Sequence, residues 1–122
     1  MLLDSNIIIY SFQQKHQFLQ AFMNDHDTCC SAISRVETLG YPSLSEDEKH
    51  YLEGCFDTIT VFPITQAVID GAVILRQQRK MSLGDAIIAA TALEYRQTLV
   101  TRNVKDFDWV EGLKVVDPFD EI

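Results

Sequence analysis

Four acidic side chains stand at the ends of apolar or small-residue runs, and they are the groups in this chain best suited to do chemistry. Asp4 closes Met1-Leu2-Leu3, and Glu37 follows Ser31-Ala32-Ile33-Ser34-Arg35-Val36. Asp85 opens a small-residue segment at residues 84–93, and Asp106 lies in Thr101-Arg102-Asn103-Val104-Lys105-Asp106-Phe107. Brought together, four carboxylates cannot all stay ionised without a cation, because like charges raise one another's pKa. Oxygen ligands with no His or Cys beside them suit Mg²⁺ or Mn²⁺. The pattern points to metal-assisted phosphodiester chemistry.

Each acid also has a plainer role open to it. Asp4, Ser5 and Asn6 are all good helix N-caps. Ser34-Arg35-Val36-Glu37 has the spacing of a capping box, and Ser82-Leu83-Gly84-Asp85 has a related one. A helix N-terminus keeps a carboxylate ionised, so a capping position and a metal role are compatible. Asp106 alone reads as a loop acid, as do Asp108, Glu111, Asp117 and Asp120. Thr101 and Asn103 either close a local turn or orient carboxylates and waters. His16, His26 and His50 share no metal-ligand spacing. The three cysteines, Cys29, Cys30 and Cys55, have no CxxC pattern and read as packing residues.

The elements that must position these groups alternate. Short apolar strands are expected at residues 1–4, 28–32, 59–62, 98–101 and 114–116. Helices are expected in a Phe- and Leu-rich hairpin region up to residue 24, then at about residues 34–39, 45–55, 65–80 and 84–93. Ser45 caps the third of these stretches, with three acids in its first turn. Strands alternating with helices predict an α/β fold built on a mostly parallel sheet, buried on both faces. In such sheets the ligand crevice lies beyond the carboxyl ends of the strands, where Asp4 and Asp106 fall.

A length of 122 residues suits one domain over residues 1–122. No apolar run approaches the roughly 20 residues that span a bilayer. Asp4 and Asn6 break the first apolar segment, which reads against a secretory signal and for a cytoplasmic location. The net charge of −8 opposes a nucleic-acid partner, which normally finds a basic face. Arg76, Arg79 and Lys80 before the Asp85 segment, and Arg102 and Lys105 beside Asp106, nevertheless form a local basic rim able to hold phosphates. A P-loop is absent. Asn6 stands where a haloacid-dehalogenase-like enzyme needs a second Asp, and the paired acids and late Lys of a receiver cannot be placed.

Taken in order, the segments around Asp4, Glu37, Asp85 and Thr101–Phe107 resemble those of the PIN-domain nucleases, and more narrowly the VapC-type toxins of bacterial toxin–antitoxin pairs. The resemblance runs from residue 2 to about residue 118. It implies a three-layer α/β/α fold, Mg²⁺- or Mn²⁺-dependent cleavage of RNA, a homodimer, and an antitoxin whose C-terminal segment plugs the groove. Asp4, Glu37 and Asp85 match the family's first three acids, with Asp106 or else Asn103 as the fourth. Thr101 matches a frequent hydroxyl position near the first Asp. Ser5, Asn6, Thr101 and Asn103 are the expected supporting groups, and Arg79, Lys80, Arg102 and Lys105 the expected RNA contacts. The alternative is a PIN-like binding module without catalysis, whose mark would be a lost acid; none is lost.

Overall fold

The computed structural model describes residues 1–121. Five short strands form one sheet: β1 (Leu2–Leu3), β2 (Cys29–Ser31), β3 (Thr60–Phe62), β4 (Leu99–Val100) and β5 (Val115–Val116). Their order is β3-β2-β1-β4-β5, and every pairing is parallel. The expected α/β class and central parallel sheet are thus present. Leu2 pairs in register with both Cys29 and Leu99. The chain builds outward from β1 on one side, then returns to build β4 and β5 on the other. The order reverses at β1, so the crevice belongs beyond the ends of β1 and β4.

Parallel strands need crossovers, and helices supply most of them. Helices α1 (Ser5–Phe12) and α2 (Phe18–Asp25) join β1 to β2; α3 (Ile33–Leu39) and α4 (Glu46–Thr58) join β2 to β3; α5 (Gln66–Gln78) and α6 (Leu83–Glu94) join β3 to β4. Successive strand residues point to opposite faces, which divides the core in two. Leu2, Cys29 and Leu99 pack with Val68, Leu75, Ile88 and Phe107 on one side. Leu3, Cys30 and Val100 pack with Ile8, Leu19, Leu52 and Phe56 on the other. Three layers result. On α6, alanines at positions 86, 89, 90 and 92 let it lie close to α5, where a Cβ on Gly71 would stand 3.3 Å from the Ala90 Cβ.

Side-chain caps fix three helix starts. Ser45 Oγ accepts from Glu48 N, Thr65 Oγ1 from Val68 N, and Ser82 Oγ from Asp85 N. The ends differ from expectation in places. Helix α4 continues past Cys55 to Thr58, while α5 stops at Gln78 because Arg79 is extended. The S-x-x-E capping box at Ser34 does not form. Helix α3 starts at Ile33 with Ala32 in the cap position, because Ala32 N still donates to Phe62 O of the neighbouring strand. Sheet pairing, rather than the local spacing, decides where that helix begins.

Candidate active site

Asp4 follows β1 directly and caps α1 by position, its own N–H donating to Val100 O at 2.9 Å. The residue is 4% exposed. Thr101, the residue after β4 and fully buried, donates from Oγ1 to Asp4 Oδ2 at 2.8 Å. Thr101 Oγ1 also accepts from Asn103 N at 3.0 Å, so one hydroxyl closes the turn and holds the acid. Adjacent parallel strands bring these two residues together across 97 positions of sequence. Burial pushes the Asp4 carboxyl up to about 6 from an ordinary 3.8, and the charges of Asp85 and Glu37 push the same way. The Thr101 hydroxyl and the Ser5 backbone N–H pull it partly back.

Glu37 lies in the second turn of α3, exposed as a residue but tied at its tip. Ser5 Oγ stands 2.7 Å from Glu37 Oε1 and 2.8 Å from Ser34 Oγ. A carboxylate only accepts, so the single Ser5 proton goes to Glu37 and the buried Ser34 hydroxyl donates to Ser5. The other carboxylate oxygen rests against α6, where a Cβ on Gly84 would collide with Glu37 Oε2. Glycine permits that approach.

Asp85 sits in the first turn of α6, with its N–H bonded to the Ser82 cap at 3.1 Å. Partial burial raises its pKa, a hydrogen bond with the Ser82 side chain lowers it, and the charges of Asp106 and Glu37 raise it again. Asp106 is exposed in a 3₁₀ turn at Val104–Asp106. Asp85 and Asp106 face a cleft of about 220 Å³ whose other walls include Arg79, Lys80, Lys105 and Trp109.

The four acids therefore form one electrostatic group: Asp4 feels Glu37 and Asp85, and Asp85 feels Asp106. Yet among the described residues no three His, Cys, Asp or Glu side chains are gathered closely enough to hold a metal ion. The acids share a field without forming a closed cage. Their donor chemistry, oxygen atoms alone with the central carboxyl buried, fits a hard divalent cation.

The supporting groups divide. Ser5 and Thr101 bond directly to acids, and Asn103 contributes its backbone N–H to Thr101. Asn6 instead lines an apolar groove with Ile9, Phe12, Tyr41 and Leu52. Among the expected cations, Arg79, Lys80 and Lys105 share the cleft. Arg102 turns away, its guanidinium 4.1 Å from the Phe119 ring centroid. Arg76 is spent on the α5–α6 turn, donating to Met81 O. Sequence reading passed over Ser34, Gly84 and Trp109. The S-x-x-E spacing marked Ser34 for a cap, and only the three-dimensional pairing gives it a different partner.

The PIN domain family model matches residues 1–113. None of the curated proteins matches the chain. Among solved structures, a chain of a toxin–antitoxin complex from Klebsiella pneumoniae is 32% identical with a TM-score of 0.79, over 96% of this chain and 96% of that one. A chain of FitAcB from Neisseria gonorrhoeae is 23% identical with a TM-score of 0.76, over 97% of each chain. A chain of VapBC2 from Rickettsia felis, bound to a DNA fragment from their promoter, is 19% identical with a TM-score of 0.79, over 95% and 96%. The last two speak to the fold alone. The match over 113 residues, on the sheet and carboxylate group described above, makes this chain a member of the PIN-domain family.

Proposed function

We propose that the chain is a divalent-metal-dependent endoribonuclease that hydrolyses RNA phosphodiester bonds, and that it is the VapC-type toxin of a toxin–antitoxin pair. It acts as one PIN domain over residues 1–122, Ile122 lying outside the described residues. The observation that carries the reading is Asp4, a buried carboxyl held by the Thr101 hydroxyl, with Glu37 and Asp85 near enough for their charges to raise its pKa. Buried charge of that kind is normally paired or coordinates a metal. Asp4 and Asp85 would hold the principal Mg²⁺ or Mn²⁺, with Glu37 and Asp106 completing the set and Asn103 the alternative to Asp106.

When bound, the ion supplies Lewis-acid stabilisation of the phosphate and a more acidic water. The chain's own residues do the rest. Thr101 fixes one Asp4 oxygen and so sets the direction in which the carboxylate faces. Ser34 and Ser5 aim Glu37. Asp106, exposed at the cleft, or Glu37 would orient the attacking water for in-line displacement. Arg79, Lys80 and Lys105 hold phosphates beside the cut, against the −8 net charge of the whole.

The antitoxin partner is supported by the 32% identical chain, which comes from a toxin–antitoxin complex. A homodimer is supported by exposed Ile69, Val73 and Leu83 on α5 and α6, which a second copy would cover. No helix among the described residues is long and apolar enough to cross a membrane, and a cytoplasmic location is proposed. Incubation with total RNA and Mg²⁺ or Mn²⁺ tests the reading: the native chain cleaves, while Asp4→Asn loses about a hundredfold or more. Equal cleavage by the two proteins removes the assignment. A binding module without catalysis draws on the open spacing of the acids; calorimetry showing no Mn²⁺ uptake, with no cleavage, would select it.

A further inference from the structure

We propose that Trp109 and Arg79 form a subsite beside the carboxylates in which one unpaired nucleobase stacks on the indole. The proposal rests on the ribonuclease reading and narrows its substrate.

Trp109 is held where such a platform is needed. Its indole Nε1–H donates to Asp106 O at 3.0 Å, which ties the ring to the backbone of an acid on the cleft wall. The ring is half-buried against the core cluster that contains Phe107 and Val110. The Arg79 guanidinium lies over the ring, 5.1 Å from its centroid, and both side chains line the cleft that holds Asp85 and Asp106. Lys80 and Lys105 stand on the same walls. An aromatic ring flanked by cations is the combination that binds single-stranded nucleic acid: the ring stacks a base and the cations track the backbone.

The plain reading makes Trp109 an edge of the core shaded by an arginine. The relative strength of the contacts favours exchange. An exposed cation–π contact is worth roughly two- to fivefold in an equilibrium, and a stacked base roughly 5- to 150-fold. An incoming base therefore displaces the guanidinium from the indole. Arg79, exposed at the end of α5, is then free to meet a phosphate together with Lys80 and Lys105. Bases inside a duplex are already stacked on their neighbours and cannot offer a face. Discrimination against paired RNA follows directly.

Trp109 is the sole tryptophan of the chain, so its intrinsic emission reports on this position alone. The full-length Asp4→Asn protein, in Mg²⁺ buffer, is titrated with an end-labelled single-stranded oligoribonucleotide, the same length as a duplex, and an abasic strand. Label anisotropy follows binding, and tryptophan emission follows stacking. The single strand should quench Trp109 saturably with the midpoint that anisotropy gives, whereas duplex and abasic strands should leave the emission unchanged. Trp109→Ala should weaken single-strand binding about tenfold or more, while Trp109→Phe, which keeps a ring, stays within a few-fold. Tight binding by anisotropy with unchanged Trp109 emission, or equal quenching by duplex, overturns the subsite and leaves the nuclease reading standing. No anisotropy change with any RNA overturns both.

Discussion

Asp4 occupies a place that disfavours its own charge. Its pKa is about 6 in the folded chain against an ordinary 3.8, so folding favours the protonated form. A carboxyl raised in this way contributes stability below the unfolded value, and that contribution is lost as pH rises through the folded one. The gap of about two units corresponds to about 3 kcal/mol. Denaturant melts in chelator should therefore show Asp4→Asn gaining on the native chain by about 3 kcal/mol between about pH 4 and about pH 8. A difference that stays flat across that range would refute the burial account. Thr101→Val should act in the opposite sense. It removes a donor to a charged acceptor, so its cost of about 2 kcal/mol appears above pH 6 and shrinks as Asp4 is protonated. The same melts check it. Neither effect can be read from the string Leu-Leu-Asp-Ser-Asn, because one depends on burial by the folded chain and the other on a hydroxyl 97 positions away.

Helix starts show which parts of the architecture local chemistry specifies. Ser45 and the stretch from Thr65 announce α4 and α5 through their side chains, and the bounded apolar runs announce all five strands. Helix α3 shows the limit, since Ala32 stays in the sheet and Ser34 turns inward to Ser5. Two substitutions at the start of α6, one at its cap and one in its first turn, should separate stability from function. Ser82→Ala removes a cap and should cost about 1 kcal/mol in thermal or denaturant unfolding. Gly84→Ala should leave stability unchanged or slightly higher, because alanine is the better helix former. Its methyl group would displace the flexible end of Glu37 from Ser5, so cleavage should fall severalfold without unfolding. Full activity in Gly84→Ala would mean that the Glu37 position is not critical. Trp109 escaped sequence reading because one aromatic in a charged turn carries no periodicity.

The whole molecule presents two unlike faces. Acids and local cations meet beyond β1 and β4, while α5 and α6 expose Ile69, Val73 and Leu83 with Ile87 beneath them. If a second copy covers that apolar face, Val73→Glu should convert a dimer into a monomer in sedimentation while leaving the circular dichroism spectrum unchanged. Identical sedimentation of variant and native chain would place the contact elsewhere. Composition gave no hint of this division, since a net charge averages over the surface that topology sorts.

The Asp4–Thr101 bond spans the first strand and the fourth, so the pocket cannot exist in a partly synthesised chain. Translation makes Asp4 well before Thr101, and Glu37 and Asp85 emerge between them. Until residue 101 is made, Asp4 lacks its donor, and the carboxylate group is completed only when the fourth strand joins the sheet.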